Sequence, residues 1–143
     1  MALSHLLYVS EASASLAEDD LRDIADVSEQ NNRERHITGV LFYSAGQFVQ
    51  LLEGEEEDVR WLFEKVARDP RHHGVRRLVL HEVDRRVFTE WGMGLLDLER
   101  HGEDAQRKLE RLMEIAGEGE VDAQGTPVEM VILSEFCMLL PAP

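Results

Sequence analysis

The sequence predicts an α+β sandwich: two helices on one face of a mostly antiparallel five-stranded sheet, with a further pair of helices at the C-terminus. Three observations predict it. Strand-like apolar runs and helix-like periodic runs follow one another in the order β-α-β-β-α-β-β across residues 1–99. Two of the strand runs, 37–43 and 47–53, are separated only by Ser44, Ala45 and Gly46, a spacing that makes a hairpin. After Glu99 the apolar spacing becomes helical.

Residues 5–10 (HLLYVS) form the first strand. Strand residues alternate faces, so Leu6, Tyr8 and Ser10 share one face and Leu7 and Val9 the other. Ser15 and Glu18 have the spacing of a capping box. Leu21, Ile24, Ala25 and Ser28 then follow at helical spacing. Glu18, Asp19 and Asp20 occupy the first turn, where the helix dipole favours acids. This helix is expected to end near Asn31 and Asn32.

Residues 37–43 are almost continuously apolar, as a central strand covered on both faces requires. Residues 47–53 are its antiparallel partner, with Gly54 as the stop. Glu55, Glu56, Glu57 and Asp58 open a second helix at its positive end. Val59, Leu62, Phe63 and Val66 form its apolar stripe, and Trp61 falls off it. Asp69 and Pro70 end it. Residues 75–83 are a fourth strand and 91–98 (WGMGLLDL) a fifth, with Arg85 and Arg86 in the connection. This is a ferredoxin-like order with one extra strand.

Beyond Glu99, Ala105, Leu109, Leu112, Met113 and Ala116 outline an amphipathic helix ending at Gly117. After a polar loop, Thr126 is placed as N-cap, Pro127 at the first helical position and Glu129 three residues past the cap. The helix that follows, up to about Leu140, is apolar nearly all round. It needs cover from the back of the sheet or from another subunit. The chain thus divides into an α+β unit, 1–99, and a helical extension, 100–143.

With 15 basic and 29 acidic residues the net charge is −14. Nucleic acid and anionic membrane surfaces are therefore not expected partners, since both draw on Lys and Arg. A single cysteine, Cys137, excludes an intrachain disulfide and points to the cytoplasm. The N-terminus lacks the pattern of a signal peptide. The longest apolar stretch, 128–140, contains Glu129 and Glu135 and falls short of the ~20 residues of a membrane helix.

Most of the polar residues suggest no chemistry. No cysteine or acid completes a ligand set around His72, His73 and His81, so no metal centre is expected. His36 reads as a solvated loop residue, Cys137 as a small hydrophobe, and the acids of 53–57 as a solvated helix start. No glycine-rich phosphate loop and no Ser-His-Asp spacing stands out. Tyr8, Asn31, Asn32 and Gln50 remain. Gln50 shares its strand face with Phe48 and Leu52, where an unsatisfied amide costs about 1–3 kcal/mol. In a sandwich of this order Tyr8 and Gln50 meet beneath a cleft between the helices. Asn32 reaches its rim, and Ile24 and Val66 form aliphatic walls. Such a cleft suits a planar ligand with amide edges. An ordinary core containing a buried Tyr8 to Gln50 hydrogen bond accounts for the same residues, and the residues alone leave both readings open.

The same positions carry a family resemblance. Leu6, Tyr8 and Ser10 form an LxYxS run, and Asn31 and Asn32 precede Ile37, Thr38 and Gly39. Leu41, Phe42 and Tyr43 lead to Gly46, Phe48, Gln50, Leu52, Glu53 and Gly54. Arg68, Asp69, Arg71 and His72, then Arg85 and Arg86, then Trp91 and Met93 complete the series. Over about residues 3–98 the chain resembles the BLUF domain, a blue-light sensor that uses flavin.

The resemblance implies a non-covalent flavin between the two helices, usually FAD, with FMN or riboflavin as alternatives. It places Asn32 on the carbonyl and imide edge of the ring, and Asn31 near that edge. Ile24 and Val66 sandwich the ring, with Val66 standing where the family usually has isoleucine. Ser28 lies near the ring, Lys65 reaches the phosphate, and His72 packs at the pocket mouth. The implied mechanism is photochemical: Tyr8 gives an electron and then a proton by way of Gln50, which is left rotated, tautomerised or both.

Trp91 and Met93 are the implied output residues, and which of them turns inward varies among relatives. The resemblance further implies a non-enzymatic sensor that signals by association, as a homo-oligomer or with a downstream protein. Two rivals stand beside it. One is a flavin-free ferredoxin-like module that oligomerises through 128–140. The other, an acylphosphatase-type hydrolase, is disfavoured because residues 10–15 contain neither arginine nor glycine.

Overall fold

The computed structural model describes residues 2–13, 17–70 and 72–141. The elements are β1 (Leu3–Ala12), α1 (Glu18–Glu34), β2 (Thr38–Ser44), β3 (Gln47–Glu55), α2 (Glu56–Ala67), β4 (His72–Val83), β5 (Gly94–Asp97), a 3-10 turn (Leu98–Arg100), α3 (Glu103–Ile115) and α4 (Val128–Cys137). The five strands form one sheet in the order β4-β1-β3-β2-β5. All neighbours are antiparallel except β2 and β5, which run parallel. This is the expected ferredoxin-like sheet, with β5 added outside β2.

Alternation along the strands sorts the apolar residues into two cores. On one face Leu6, Tyr8, Leu41 and Leu52 pack beneath Leu21 and Ala25 of α1 and Val59 and Leu62 of α2. On the other, Leu7, Val9, Phe42 and Leu51 lie beneath α3 and α4. Both faces of β2 are buried, which explains its unbroken apolar run. The back of the sheet is also what covers α4. Met130, Ile132, Leu133 and Phe136 are buried there, and the rings of Phe42 and Phe136 meet edge-on with centroids 4.7 Å apart.

Several local expectations shift. Helix α1 runs past Asn31 and Asn32 to Glu34. It ends where His36 adopts a left-handed φ of 57° and the Ile37 N–H turns back to the Asn32 carbonyl at 2.9 Å. The Ser15 capping box and Arg71 lie outside the described residues; at the helix start, the Asp20 carboxylate accepts the Ala17 N–H at 3.1 Å. Gly54 does not stop β3 but pairs with Ser4 inside the ladder. The fifth strand shortens to four residues because the ladder with β2 begins only at Val40 and Gly94. Helix α4 starts one residue late, with Pro127 at the cap. Glu129 does not cap its own helix: its carboxylate accepts the Gly117 N–H at 2.6 Å, closing the loop between α3 and α4.

Glu53 departs furthest from expectation. It is fully buried rather than part of a solvated helix start. It accepts from His5 Nε2 at 2.7 Å, from Thr38 Oγ1 at 3.0 Å, and from the backbone N–H groups of Val87 and Phe88 at 2.6 and 2.8 Å. Burial alone would raise its pKa, but the hydrogen bond and charge of His5 and the two backbone donors outweigh burial and lower it. One carboxylate thus ties β1, β2 and β3 to the segment that leads into β5.

Candidate functional site

Tyr8 and Gln50 are direct partners in the ladder between β1 and β3, on the face beneath α1 and α2. Tyr8 Oη donates a hydrogen bond to Gln50 Oε1. Gln50 Nε2 donates to Met93 Sδ at 3.1 Å. The three side chains are all buried. Burial, and after it the negative charge of Asp69, push the Tyr8 phenol well above its ordinary pKa. Tyr8 therefore remains a donor, and this fixes the amide with its oxygen toward the phenol. The bond at the other end of the amide is weaker, because a thioether is a poor acceptor.

Met93 comes from the irregular stretch just before β5. It lies in the core beneath the helices, whereas Trp91 packs against the opposite core. The Trp91 carbonyl accepts the Gly39 N–H at 3.1 Å. The buried amide of Asn32 holds the next peptide, its Nδ2 donating to the Gly92 carbonyl at 2.9 Å. Gly92 leaves no room for a side chain: a Cβ there would lie 2.7 Å from the Glu29 carbonyl. The last turns of α1 thus clamp the residues that place Met93 against Gln50.

Above this network a cleft opens between α1 and α2. Tyr8, Gln50 and Phe48 line its floor, Ile24 and Val66 its sides, and Ser28, Asn32 and His72 also border it. Its free space, open solvent at the mouth included, is about 540 Å³. Asn31, which is exposed, and Lys65 border an outward continuation that shares Ser28, Asn32 and Val66. The expected contact residues therefore line two adjoining recesses that share Ser28, Asn32 and Val66. His72 is half-buried and bonded at both ring nitrogens. Its Nε2 donates to the Val66 carbonyl at 2.6 Å, so in the neutral ring Nδ1 accepts from Ser10 Oγ at 2.8 Å. These bonds pin the end of α2 to β1 and β4.

Sequence reasoning missed several contributors. Phe48 lies two residues before Gln50 on the same face, so the period of the strand was the available signal. Leu62 appeared only in the apolar stripe of its helix, and Leu41 and Asp69 only as family-pattern positions and, for Asp69, as a helix end, yet all three border the cleft. The contact from Asn32 to Gly92 joins residues 60 apart in the chain and had no local signal. Among the described residues, no group of three His, Cys, Asp or Glu side chains is placed to hold a metal. No helix among them is long and apolar enough to cross a membrane.

The donor set suits a planar heteroaromatic ring. Two primary amides, Asn32 and Gln50, are buried yet border open space, and the flat sides are aliphatic. Polar edges beside apolar faces are the chemistry of an isoalloxazine. At the base of this cleft a phenol donates to a buried amide. The chain belongs to the BLUF family: the model of that family, described as sensors of blue light using FAD, matches residues 3–94. Residues 3–94 are thus a flavin-based blue-light sensor domain of this family.

The blue light- and temperature-regulated antirepressor BluF of Escherichia coli (strain K12) is 30% identical over 102 residues, which are 71% of this chain and 25% of that protein. The chain therefore spans about a quarter of that relative. Two solved structures match over nearly their whole length. BlrB, a BLUF protein in its dark state, has a TM-score of 0.72 at 27% identity, covering 93% of this chain and 97% of that one. BlsA in its photo-activated state has a TM-score of 0.72 at 27% identity, covering 95% of each chain.

Proposed function

We propose that Tyr8 and Gln50 are the photochemical pair, and that Ile24, Ser28, Asn31, Asn32, Gln50, Lys65, Val66 and His72 hold the flavin. The observation that carries this reading is the line of hydrogen bonds from Tyr8 through Gln50 to Met93 at the base of the cleft. Bound flavin supplies blue-light absorption and, once excited, oxidising power. The rest belongs to the chain. Tyr8 is the electron donor, and the proton it loses has Gln50 Oε1 as its acceptor. The amide has a second orientation, with Nε2 toward Tyr8. Met93 Sδ cannot donate a hydrogen bond, so a turned amide loses Met93.

We assign residues 1–99 as the sensor and 100–143 as its output extension. Met93 adjoins Gly94, and Leu140, just beyond α4, seats against Gly94: a Cβ at Gly94 would lie 2.7 Å from Leu140 Cδ1. Release of Met93 is thereby felt at the end of α4, while Trp91 rides on the same segment against the core beneath that helix. The chain acts without an enzymatic step of its own, in the cytoplasm, by light-dependent association with a second copy or a downstream protein.

Purified protein tests the reading. It is expected to be yellow, with a flavin band that shifts red under blue light and recovers in darkness. Colourless protein that takes up no added FAD would sink the proposal. For the output, light scattering on lit and dark samples is expected to differ; identical assembly states without a partner would rule out self-association and leave only the route through another protein.

A further inference from the structure

Residues 84–93 form neither helix nor strand, yet Met93 at their end is placed to bond Gln50. A stretch without a ladder of its own is held by groups that reach it from elsewhere. Glu53 takes the Val87 and Phe88 N–H groups, and Asn32 takes the Gly92 carbonyl. Arg86 supplies a third anchor. It is half-buried, and its guanidinium donates three hydrogen bonds. Nη1 donates to Thr38 Oγ1 at 2.8 Å and to the Glu53 carbonyl at 3.0 Å, and Nη2 to the His36 carbonyl at 2.6 Å. Thr38 Oγ1 donates onward to the Glu53 carboxylate at 3.0 Å, so one hydroxyl links the cation to the buried anion. A planar fork that meets three fixed acceptors at once suits arginine and not lysine.

The His36 carbonyl gives this anchor its meaning. His36 is where α1 turns into β2, with a φ of 57°, in the left-handed region that few side chains adopt. One residue on, the Ile37 N–H bonds back to the Asn32 carbonyl at 2.9 Å. The side chain of that same Asn32 holds Gly92. The bonds close a circuit: from Asn32 through the turn to His36, across to Arg86, along the segment to Gly92, and back to Asn32. Glu53 fixes the segment to the sheet. Arg86 fixes it to the end of α1, the helix whose Asn32 borders the cleft.

We propose that Arg86 is a positioning residue for the light switch. By holding the turn after α1 to the start of the segment, it keeps Met93 in register with Asn32 and within reach of the Gln50 amide. Arg86 does not itself border the cleft and acts only through Met93. This rests on the reading of Met93 as the weak partner of Gln50, and adds the residue that holds Met93 in place.

A double-mutant cycle on the flavin-loaded full chain, read as the rate of dark recovery after a flash, tests the assignment. Arg86→Met keeps the apolar stem and removes all three bonds. It is expected to slow recovery about twofold, as Met93→Leu does, and Met93→Leu added to it should slow recovery no further. Arg86→Lys reaches fewer of the three acceptors and is expected to fall between Arg86→Met and wild type. General loosening of the fold would leave the two effects additive, so an undiminished effect of Met93→Leu in the Arg86→Met background overturns the proposal. Should Arg86→Met fail to fold, the same cycle on Arg86→Lys decides: the effect of Met93→Leu is expected to shrink there, and an effect of full size overturns the proposal. Recovery unchanged by Met93→Leu in the otherwise wild-type chain is a separate outcome, which overturns the reading of Met93 and the role of Arg86 together.

Discussion

Gln50 Nε2 lies 3.1 Å from Met93 Sδ, while Trp91, two residues earlier in the chain, packs on the other side of the sheet. The amide is thus held between a strong partner, Tyr8, and a weak one. Met93→Leu keeps the apolar bulk and removes the acceptor. A weak bond of about 0.5 kcal/mol then no longer favours the resting orientation. Dark recovery is expected to slow by about twofold, as read from the decay of the red-shifted band after a flash. Trp91→Phe should leave that decay unchanged; the reverse pattern would place Trp91, not Met93, at the switch.

Tyr8→Phe removes the donor and strands Gln50 Oε1. We expect the protein to stay yellow, lose its red shift, and fall in stability by about 1–3 kcal/mol in urea titrations. Gln50→Leu should likewise silence the light response in a folded chain. The pH dependence follows from the raised pKa of the phenol. A raised folded-state pKa means that stability is fully present below the unfolded value of about 10 and declines above it. The amplitude of the shift is therefore expected to stay flat as pH rises through about 9 and 10. A loss of amplitude centred on an ordinary phenol pKa would contradict the buried-donor assignment.

Glu53 gives an acid-side prediction of opposite sign. Its folded pKa is lowered, so its contribution is present above the unfolded carboxylate pKa and is lost as pH falls through the lower folded value. Glu53→Gln keeps much of the shape but removes the carboxylate charge from its donors, His5 among them. It is expected to cost about 3 kcal/mol near neutral pH. Urea midpoints of the two proteins should converge as the medium is acidified below the ordinary carboxylate pKa of about 4.3. A constant gap across that range would show that shape, not charge, is what Glu53 supplies.

Gly94→Ala tests the link to α4. The new Cβ would meet Leu140 Cδ1 at 2.7 Å and Cδ2 at 3.0 Å. These are the tips of a flexible side chain, so the cost is expected near the low end of overpacking, about 1 kcal/mol. The red shift should survive. Dark protein is expected to scatter light as lit wild type does, because Leu140 is already displaced. A normal difference between lit and dark assembly in this variant would disconnect Leu140 from the output.

The order of elements, the hairpin and the two apolar faces were legible in the sequence. Each rests on local rules: strand alternation, helical spacing and turn residues act over a few neighbours. Tyr8 and Gln50 were legible for the same reason, as polar groups on strand faces that alternation marks as buried; Asn32 was placed at the rim of the cleft, and its burial was not legible. Their roles needed more. Residues alone left a ligand and an ordinary core equally open, and the family pattern decided between them.

Other features were set by contacts far apart in the chain. Glu53 sits in a run of acids that looks solvated, and only the approach of His5, Val87 and Phe88 makes a buried carboxylate tolerable there. The inward turn of Met93 lies in a stretch with no period to read. It is set by backbone bonds to Gly39 and Asn32. The cover of α4 was undecided between the sheet and a second chain until Phe136 met Phe42. The sequence by itself determined which apolar residues are buried and which elements they build, because apolar burial is written in local periodicity. Tertiary structure alone decided which buried groups face one another, because hydrogen bonds and packing across the sheet join residues that no local pattern connects.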